Sequence, residues 1–160
     1  ESQVAVNIDG TRNAIELAQV IGVREPKVAI LAAVETVSPT MAATLDAAAL
    51  CKMADRGQIT GGLLDGPLAF DNAVSIAAAR IKGIVSEVAG QADILVVPDL
   101  ESGNMLAKQL IFMGGAASAG IVLGAKVPVI LTSRADSRDT RIASCAIALM
   151  LAHHYRLSPP

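Results

Sequence analysis

Aromatic residues are nearly missing from this 160-residue chain: Phe70, Phe112 and Tyr155 are the whole set, and there is no Trp. Yet 52% of the residues are hydrophobic, so the core has to be filled by Ala, Val, Ile and Leu. Side chains of that size suit helices packed closely on a sheet. Cysteine is equally scarce. Cys51 and Cys145 sit alone in apolar, helix-like patterns, which excludes a disulfide framework and a CxxC or Cys/His metal cluster; both read as small core residues. No Lys/Arg run is long enough to neutralise a phosphate backbone, and the net charge is −2, so capture of nucleic acid is excluded. No apolar run approaches the roughly 20 residues of a membrane span. No signal peptide opens the chain, and the expected location is cytoplasmic. Nucleotide phosphate loops of the GxGxxG and GxxxxGK[ST] kinds are absent as well.

What is present is an alternation. Apolar, β-branched runs at 27–34, 58–64, 93–97, 119–123 and 127–132 read as strands buried on both faces, as in a parallel sheet. A further short strand is expected at VAVNI, near the start. Helical stripes lie between them: Met41, Leu45, Ala49 and Met53, closed by Gly57; Val74, Ala78, Ile81, Val85 and Val88, capped by Asp71 or Asn72; and Ile142, Ala146, Leu149 and Ala152. Another helix is expected around 11–21. The expected fold class is therefore α/β with three α/β/α layers and a mainly parallel sheet. At 160 residues, one domain or one and a part is the expected content.

In such folds, polar segments between a strand end and a helix start are where ligands gather. Four have that position. Ser133-Arg134-Ala135-Asp136-Ser137-Arg138-Asp139 precedes the last helix, where Arg can grip phosphate bidentately and free amides can add to the site. Pro98-Asp99-Leu100-Glu101-Ser102-Gly103-Asn104, with Lys108 one turn on, offers small residues for close approach to an anion and one cation. Asp65 to Asn72 combines turn residues with Asp65 at its head. Glu35, in Val34-Glu35-Thr36-Val37, reads better as a solvated carboxylate. Gly114-Gly115 follows a helix and reads as its cap. His153 and His154 end the last helix, where His favours the dipole rather than catalysis.

The stretches EPKVAILAAVETV, DAAALCKMADRGQITGGLLDGPLAFDNAVS, VAGQADILVVPDLESGNMLAKQL and GIVLGAKVPVILTSRADS closely resemble the phosphate acetyl/butyryl transferase family, nearest to its phosphate butyryltransferase-like branch. The transferase part of bifunctional enoyl-CoA hydratase/phosphate acetyltransferases is similar too. The resemblance implies that the chain is the C-terminal half of a longer protein with two lobes, similar in architecture to isopropylmalate dehydrogenases. Residues 29–132 would form the second lobe, while 1–28 and 133–160 would belong to the first.

The implied activity is transfer of an acetyl- or butyryl-type group between coenzyme A and phosphate, with an isolated half expected to be inactive. Coenzyme A would be a substrate rather than a resident cofactor, and no metal is expected. The implied partners are acyl-CoA and phosphate, with neither nucleic acid nor membrane, and a homodimer of the full-length protein. Ser133 and Arg134 match the family's charge-stabilising pair. Asp139 matches one Asp of the acetyltransferases' pair, with Thr140 at the other position and Asp136 a further candidate base. Asp99, Glu101, Ser102, Gly103, Asn104, Lys108, Asp65 and Ser137 complete the expected substrate site. Phe112 stands where acetyltransferases commonly carry Arg, which favours a butyryl-like or broader acyl preference. A relative without transferase activity, serving as a binding or scaffold domain fused to a hydratase, is the other reading.

Overall fold

The segment Lys27–Leu31 (β1) reads KVAIL, and its last four residues are all buried. Alternation sends Val28 and Ile30 to one side and Ala29 and Leu31 to the other, so a strand this apolar needs cover on both faces. The computed structural model describes the backbone of residues 3–158, and the side chains from residue 8, and provides that cover. β1 lies between Leu63–Leu68 (β2) and Ile94–Val96 (β3), parallel to both.

On one face, Val28 and Ile30 pack with Ile15 of helix α1 (Gln3–Val20) and with Ala47 and Leu50 of α2 (Ala42–Asp55). On the other, Ala29 and Leu31 meet Ala73 of α3 (Phe70–Val74), Ala79 of α4 (Ile76–Ile81), Val88 and Ala89. The result is an α/β/α layered fold with a mainly parallel sheet. Beyond β3 come α5 (Leu100–Phe112), an antiparallel pair β4 (Ile121–Val122) and β5 (Val129–Ile130), and the long α6 (Arg138–Leu157). Ala148 and Leu151 are buried in α6, which also reaches α1 through His154 Nε2 and Glu16 Oε1, 3.1 Å apart. None of the described helices is long and apolar enough to cross a membrane.

Several sequence expectations shift. VAVNI is helical, inside α1. The second strand begins at Leu63 rather than 58, because Gly57 (φ 71°) and Gly61 (φ 89°) turn the chain first; Leu63 N–H then joins Pro26 O at 2.9 Å. Gly57 does close α2, as expected. The helix read across 74–88 is broken at Ser75 and ends at Ile81, so 82–88 are not helical. Ser75 is extended and caps α4, its Oγ accepting from Ala78 N–H at 3.3 Å. Asp71 and Asn72 cap nothing: Asp71 pairs with Lys82 and Asn72 is buried against Glu35. Val85, read as core, is fully exposed at 100%.

The helical stripes are also turned outward in part, although Met53 of α2 packs against the core as expected. α2 buries Thr44, Ala47 and Leu50 while Met41 and Leu45 are exposed; α6 buries Ser144, Ala148 and Leu151 while Ile142 and Leu149 are exposed. Small residues let these helices lie close on their neighbours, so the largest apolar side chains do not mark the inner face. Cys145, expected in the core, is exposed, and Cys51 is half-buried.

Candidate functional site

Three residues beyond β5 the chain makes a tight turn. Asp136 N–H donates to Ser133 O at 3.1 Å, while Ser133 N–H donates to the Asp136 carboxylate. Ser137 follows with extended backbone and caps α6, its Oγ accepting from Thr140 N–H at 3.1 Å. Ser rather than Asp136 thus fills the cap, because the Asp136 carboxylate is already committed to the turn. Asp139 falls in the first turn of α6, where a negative charge favours the helix dipole. Its carboxylate has no hydrogen-bond or ion-pair partner among the described residues.

α6 is held in place by Ser144, which is fully buried. Its hydroxyl donates to Thr140 O at 2.8 Å and accepts from Gly120 N–H at 2.9 Å, tying the helix to the entry of β4. Between the start of α6 and the last turns of α5 lies a cavity of about 500 Å³. Ser133, Asp136, Ser137 and Asp139 line one side of it, and Lys108 with Phe112 the other. The hydroxyl residues Ser118, Ser133, Ser137 and Thr140, one ammonium and the amide end of a helix border this space, with two carboxylates beside them. Such a set can hold an oxyanion and keep a carboxylate near it.

Four of the expected site residues, Ser133, Ser137, Asp139 and Lys108, therefore share one cavity. Arg134 sits in the same turn, exposed, with its side chain off the cavity wall. The Asp99–Asn104 segment is placed elsewhere, at the opposite end of α5. Asp99 caps that helix: its Oδ1 accepts from Ser102 N–H at 2.7 Å and from Ser102 Oγ at 2.8 Å. Those bonds hold the Asp99 carboxyl below the usual carboxylate range. Glu101 and Asn104 are exposed on this first stretch of α5. Gly103 lies against β3, where a Cβ would meet Val97 Cγ2 at 2.8 Å; only glycine lets the helix start that close to the strand.

Asp65 is on β2, accepting from Gly66 N–H at 2.8 Å, beside a different hollow of about 350 Å³ shared with Asp55 and Glu87. Together with burial, the main cause, the Asp65 and Asp55 charges push the Cys51 thiol up to about 12.

Glu35 is not a free solvated carboxylate. Lys82 Nζ donates to Glu35 Oε2 at 3.1 Å and also contacts Asp71, while Asn72 Nδ2 reaches Glu35 Oε2 at 3.4 Å. The Lys82 bond holds the Glu35 carboxyl down, and the same bond raises Lys82. Lys82 went unread because it follows a short helix with no motif around it; being the sole lysine between Lys52 and Lys108 was the available signal. Ser118 was also missed. It lines the main cavity and stands 3.5 Å from Thr140 Oγ1, but its neighbours Gly114–Ala117 read as a cap, a role that Gly115 (φ 65°) does fill. Among the described residues no group of His, Cys, Asp and Glu is arranged to hold a metal ion.

Known proteins are similar to this chain in sequence and fold. The profile of the family described as phosphate acetyl/butaryl transferase matches residues 4–149. A phosphate acetyltransferase of Rhizobium meliloti is 65% identical over 148 residues, covering 92% of this chain and 47% of that protein. A phosphate butyryltransferase of Clostridium acetobutylicum is 49% identical over 145 residues, covering 91% of this chain and 48% of its own length. Among solved structures, a branched-chain phosphotransacylase from Enterococcus faecalis V583 superposes with a TM-score of 0.84 at 37% identity, covering 96% of this chain and 54% of that one. The class is thus an α/β fold of the phosphotransacylase kind. The chain belongs to the phosphate acetyl/butyryl transferase family. It spans about half the length of the curated relatives it matches.

Proposed function

We propose that this chain supplies one wall of the active site of a phosphate acyltransferase, which moves an acetyl- or butyryl-type group between coenzyme A and phosphate. The observation that carries this reading is the cavity at the start of α6, where Ser133, Ser137, Asp139 and Lys108 meet. An acyl phosphate binds with its phosphoryl oxygens toward the Ser133 and Ser137 hydroxyls, the α6 amides and Lys108. The thiol of coenzyme A gives its proton to Asp139, and the thiolate attacks the acyl carbonyl. A carbon–sulfur bond forms, the carbon–oxygen bond to phosphate breaks, and phosphate leaves with that electron pair. Arg134 swings over the turn to stabilise the leaving charge beside Ser133. A carboxylate is a weak base for a thiol of pKa about 8.5, so nearby cations must stabilise the thiolate too. Asp139 suits the base role better than Asp136, whose carboxylate is held by Ser133 N–H.

In this reading the chain is one half of a longer, homodimeric cytoplasmic protein that binds coenzyme A only as a substrate. Residues 29–132 form a second lobe, and 1–28 and 133–160 return to a first. A cleft between lobes needs both walls, so the 160-residue chain alone is inactive. The Asp99–Asn104 segment and Asp65 border that cleft. One observation favours a second reading, a relative that only binds or scaffolds, joined to an enoyl-CoA hydratase: Arg134 does not line the cavity.

Phosphate-dependent release of coenzyme A from acetyl-CoA and butyryl-CoA by the full-length protein separates the two readings; no release from either removes the transferase. In an active protein, Arg134→Ala costs about 2–4 kcal/mol of transition-state stabilisation, and an unchanged rate takes Arg134 out of the mechanism. Asp139→Asn abolishes turnover while Asp136→Asn keeps most of it; the reverse outcome moves the base to Asp136.

A further inference from the structure

The segment 116–120 joins the end of α5 to β4, and it is tied down at both ends. Ala116 N–H donates to Leu110 O of α5 at 3.0 Å. Gly120 N–H donates to the buried Ser144 hydroxyl of α6 at 2.9 Å, and Gly120 O accepts from Leu131 N–H at 3.1 Å. No side chain fits at Gly120, since a Cβ there would run into Leu131 O. Ser118, in the middle of the segment, is therefore set in place between the two helices that border the cavity of about 500 Å³. It is half-buried and lines that cavity.

Ser118 does not stand alone. Its Oγ lies 3.5 Å from Thr140 Oγ1, and Thr140 Oγ1 lies 3.1 Å from Ser137 Oγ. The three hydroxyl residues form a row, and all three line the cavity. A hydroxyl has one proton to give and two lone pairs. Ser137 Oγ already accepts from Thr140 N–H. If Ser137 gave its own proton to Thr140, none would remain for a ligand. If Thr140 gives its proton to Ser137 instead, the Ser137 proton is free for the cavity. The 3.5 Å gap at Ser118 exceeds the roughly 2.5–3.0 Å of a firm O–H···O bond, so the Ser118 proton is held loosely and can turn to a ligand too. An anion, all acceptor, selects this arrangement. A phosphoryl group presents several such oxygens, and Lys108, Ser118 and the start of α6 bring it donors from three segments of the chain.

We propose that Ser118 is a further phosphate-binding residue of this site, and that Thr140 is a positioning residue that turns the Ser137 hydroxyl toward the same anion. The proposal rests on the acyltransferase reading.

The test is steady-state kinetics of the full-length protein, following release of coenzyme A from acetyl-CoA and butyryl-CoA while inorganic phosphate is varied. Ser118→Ala removes one hydroxyl. Thr140→Val keeps the shape, the amide that Ser137 caps and the carbonyl that Ser144 uses; Thr140→Ser restores the hydroxyl. A hydrogen bond to a charged group is worth about tenfold or more in binding, and one between neutral groups somewhat less. KM for phosphate should therefore rise about tenfold in Ser118→Ala and about three- to tenfold in Thr140→Val, with KM for the acyl-CoA within about twofold of wild type. Thr140→Ser should return KM for phosphate to within about twofold of wild type. A phosphate KM unmoved in either Ser118→Ala or Thr140→Val overturns the proposal and leaves the transferase reading intact. Equal rises in both KM values also overturn it, since the hydroxyls would then serve the fold or the whole cavity. So does a Thr140→Ser protein that behaves as Thr140→Val does. No turnover by the wild type with either acyl-CoA sinks both.

Discussion

The residues up to Gly90 and those from Asp99 onward are built to different rules. In the first stretch β1 is buried almost completely, and two apolar clusters sit on its two faces. In the second, α5 buries no residue, and β5 keeps Val129 and Ile130 at the surface. Leu149 of α6 is 71% exposed, with Ile142 and Met150 exposed on the same helix. The contrast separates two jobs. The first stretch makes most of the hydrophobic core, whereas the second arranges polar loops and leaves much of its own apolar side-chain surface exposed.

The sharpest test of that division is a pair of truncations. Leu50 is fully buried between α2 and the sheet, so Leu50→Ala should cost about 2–5 kcal/mol in urea unfolding. Ile130→Ala, at a position 41% exposed, should stay within about 0.5 kcal/mol. Similar losses at the two positions would erase the distinction. The bond that ties α6 to β4 within the second stretch comes next. Ser144→Ala leaves the buried end of the Gly120 contact unpaired and should cost about 1–3 kcal/mol; no loss would mean that α6 is held by its other contacts, Ala148, Leu151 and the His154–Glu16 pair. Hydrogen exchange then asks whether the stretches open separately. Amides of α5 should exchange at least about tenfold faster than those of β1, a gap of about 1.4 kcal/mol, and equal protection would make the molecule one cooperative unit.

The smallest effect belongs to the first stretch. Glu35 is held below its usual 4.5 by Lys82, so its contribution is present above that pH and fades as pH falls through the lowered folded value. Lys82 is raised above its usual 10.5 by the same bond, so its contribution is present below that pH and fades as pH rises through the raised value. The difference in Tm between wild type and Lys82→Met should therefore be flat from about pH 5 to 10 and shrink outside that window. A difference independent of pH would assign Lys82 a packing role only.

The layered α/β architecture was legible because β1 and β3 are unbroken apolar runs with turn residues at their ends. The inner faces of α2 and α6 were not, since periodicity weighted by size selects Met41, Leu45, Ile142 and Leu149 over Ala47, Ser144 and Ala148. β2 was misplaced by five residues because Gly61 and Gly62 look tolerable inside an apolar run, and only the backbone geometry reveals the turn. At the candidate site, Ser133, Ser137 and Asp139 were readable from one strand-to-helix loop. That Lys108 faces them from α5, and that Lys82 reaches Glu35 across 47 positions, depends on tertiary packing that spacing does not encode.

The two cysteines turn this division into a practical handle. Thiol reagents attack the thiolate, and a half-buried Cys51 titrating at about 12 offers almost none at neutral pH. Cys145 stands exposed on α6 beside Asp136, Arg138, Arg141 and Ile142. A maleimide probe at pH 7 should therefore give one adduct per native chain and two after unfolding. That makes the unaltered sequence a single-site reporter on the helix whose first turn lines the candidate site.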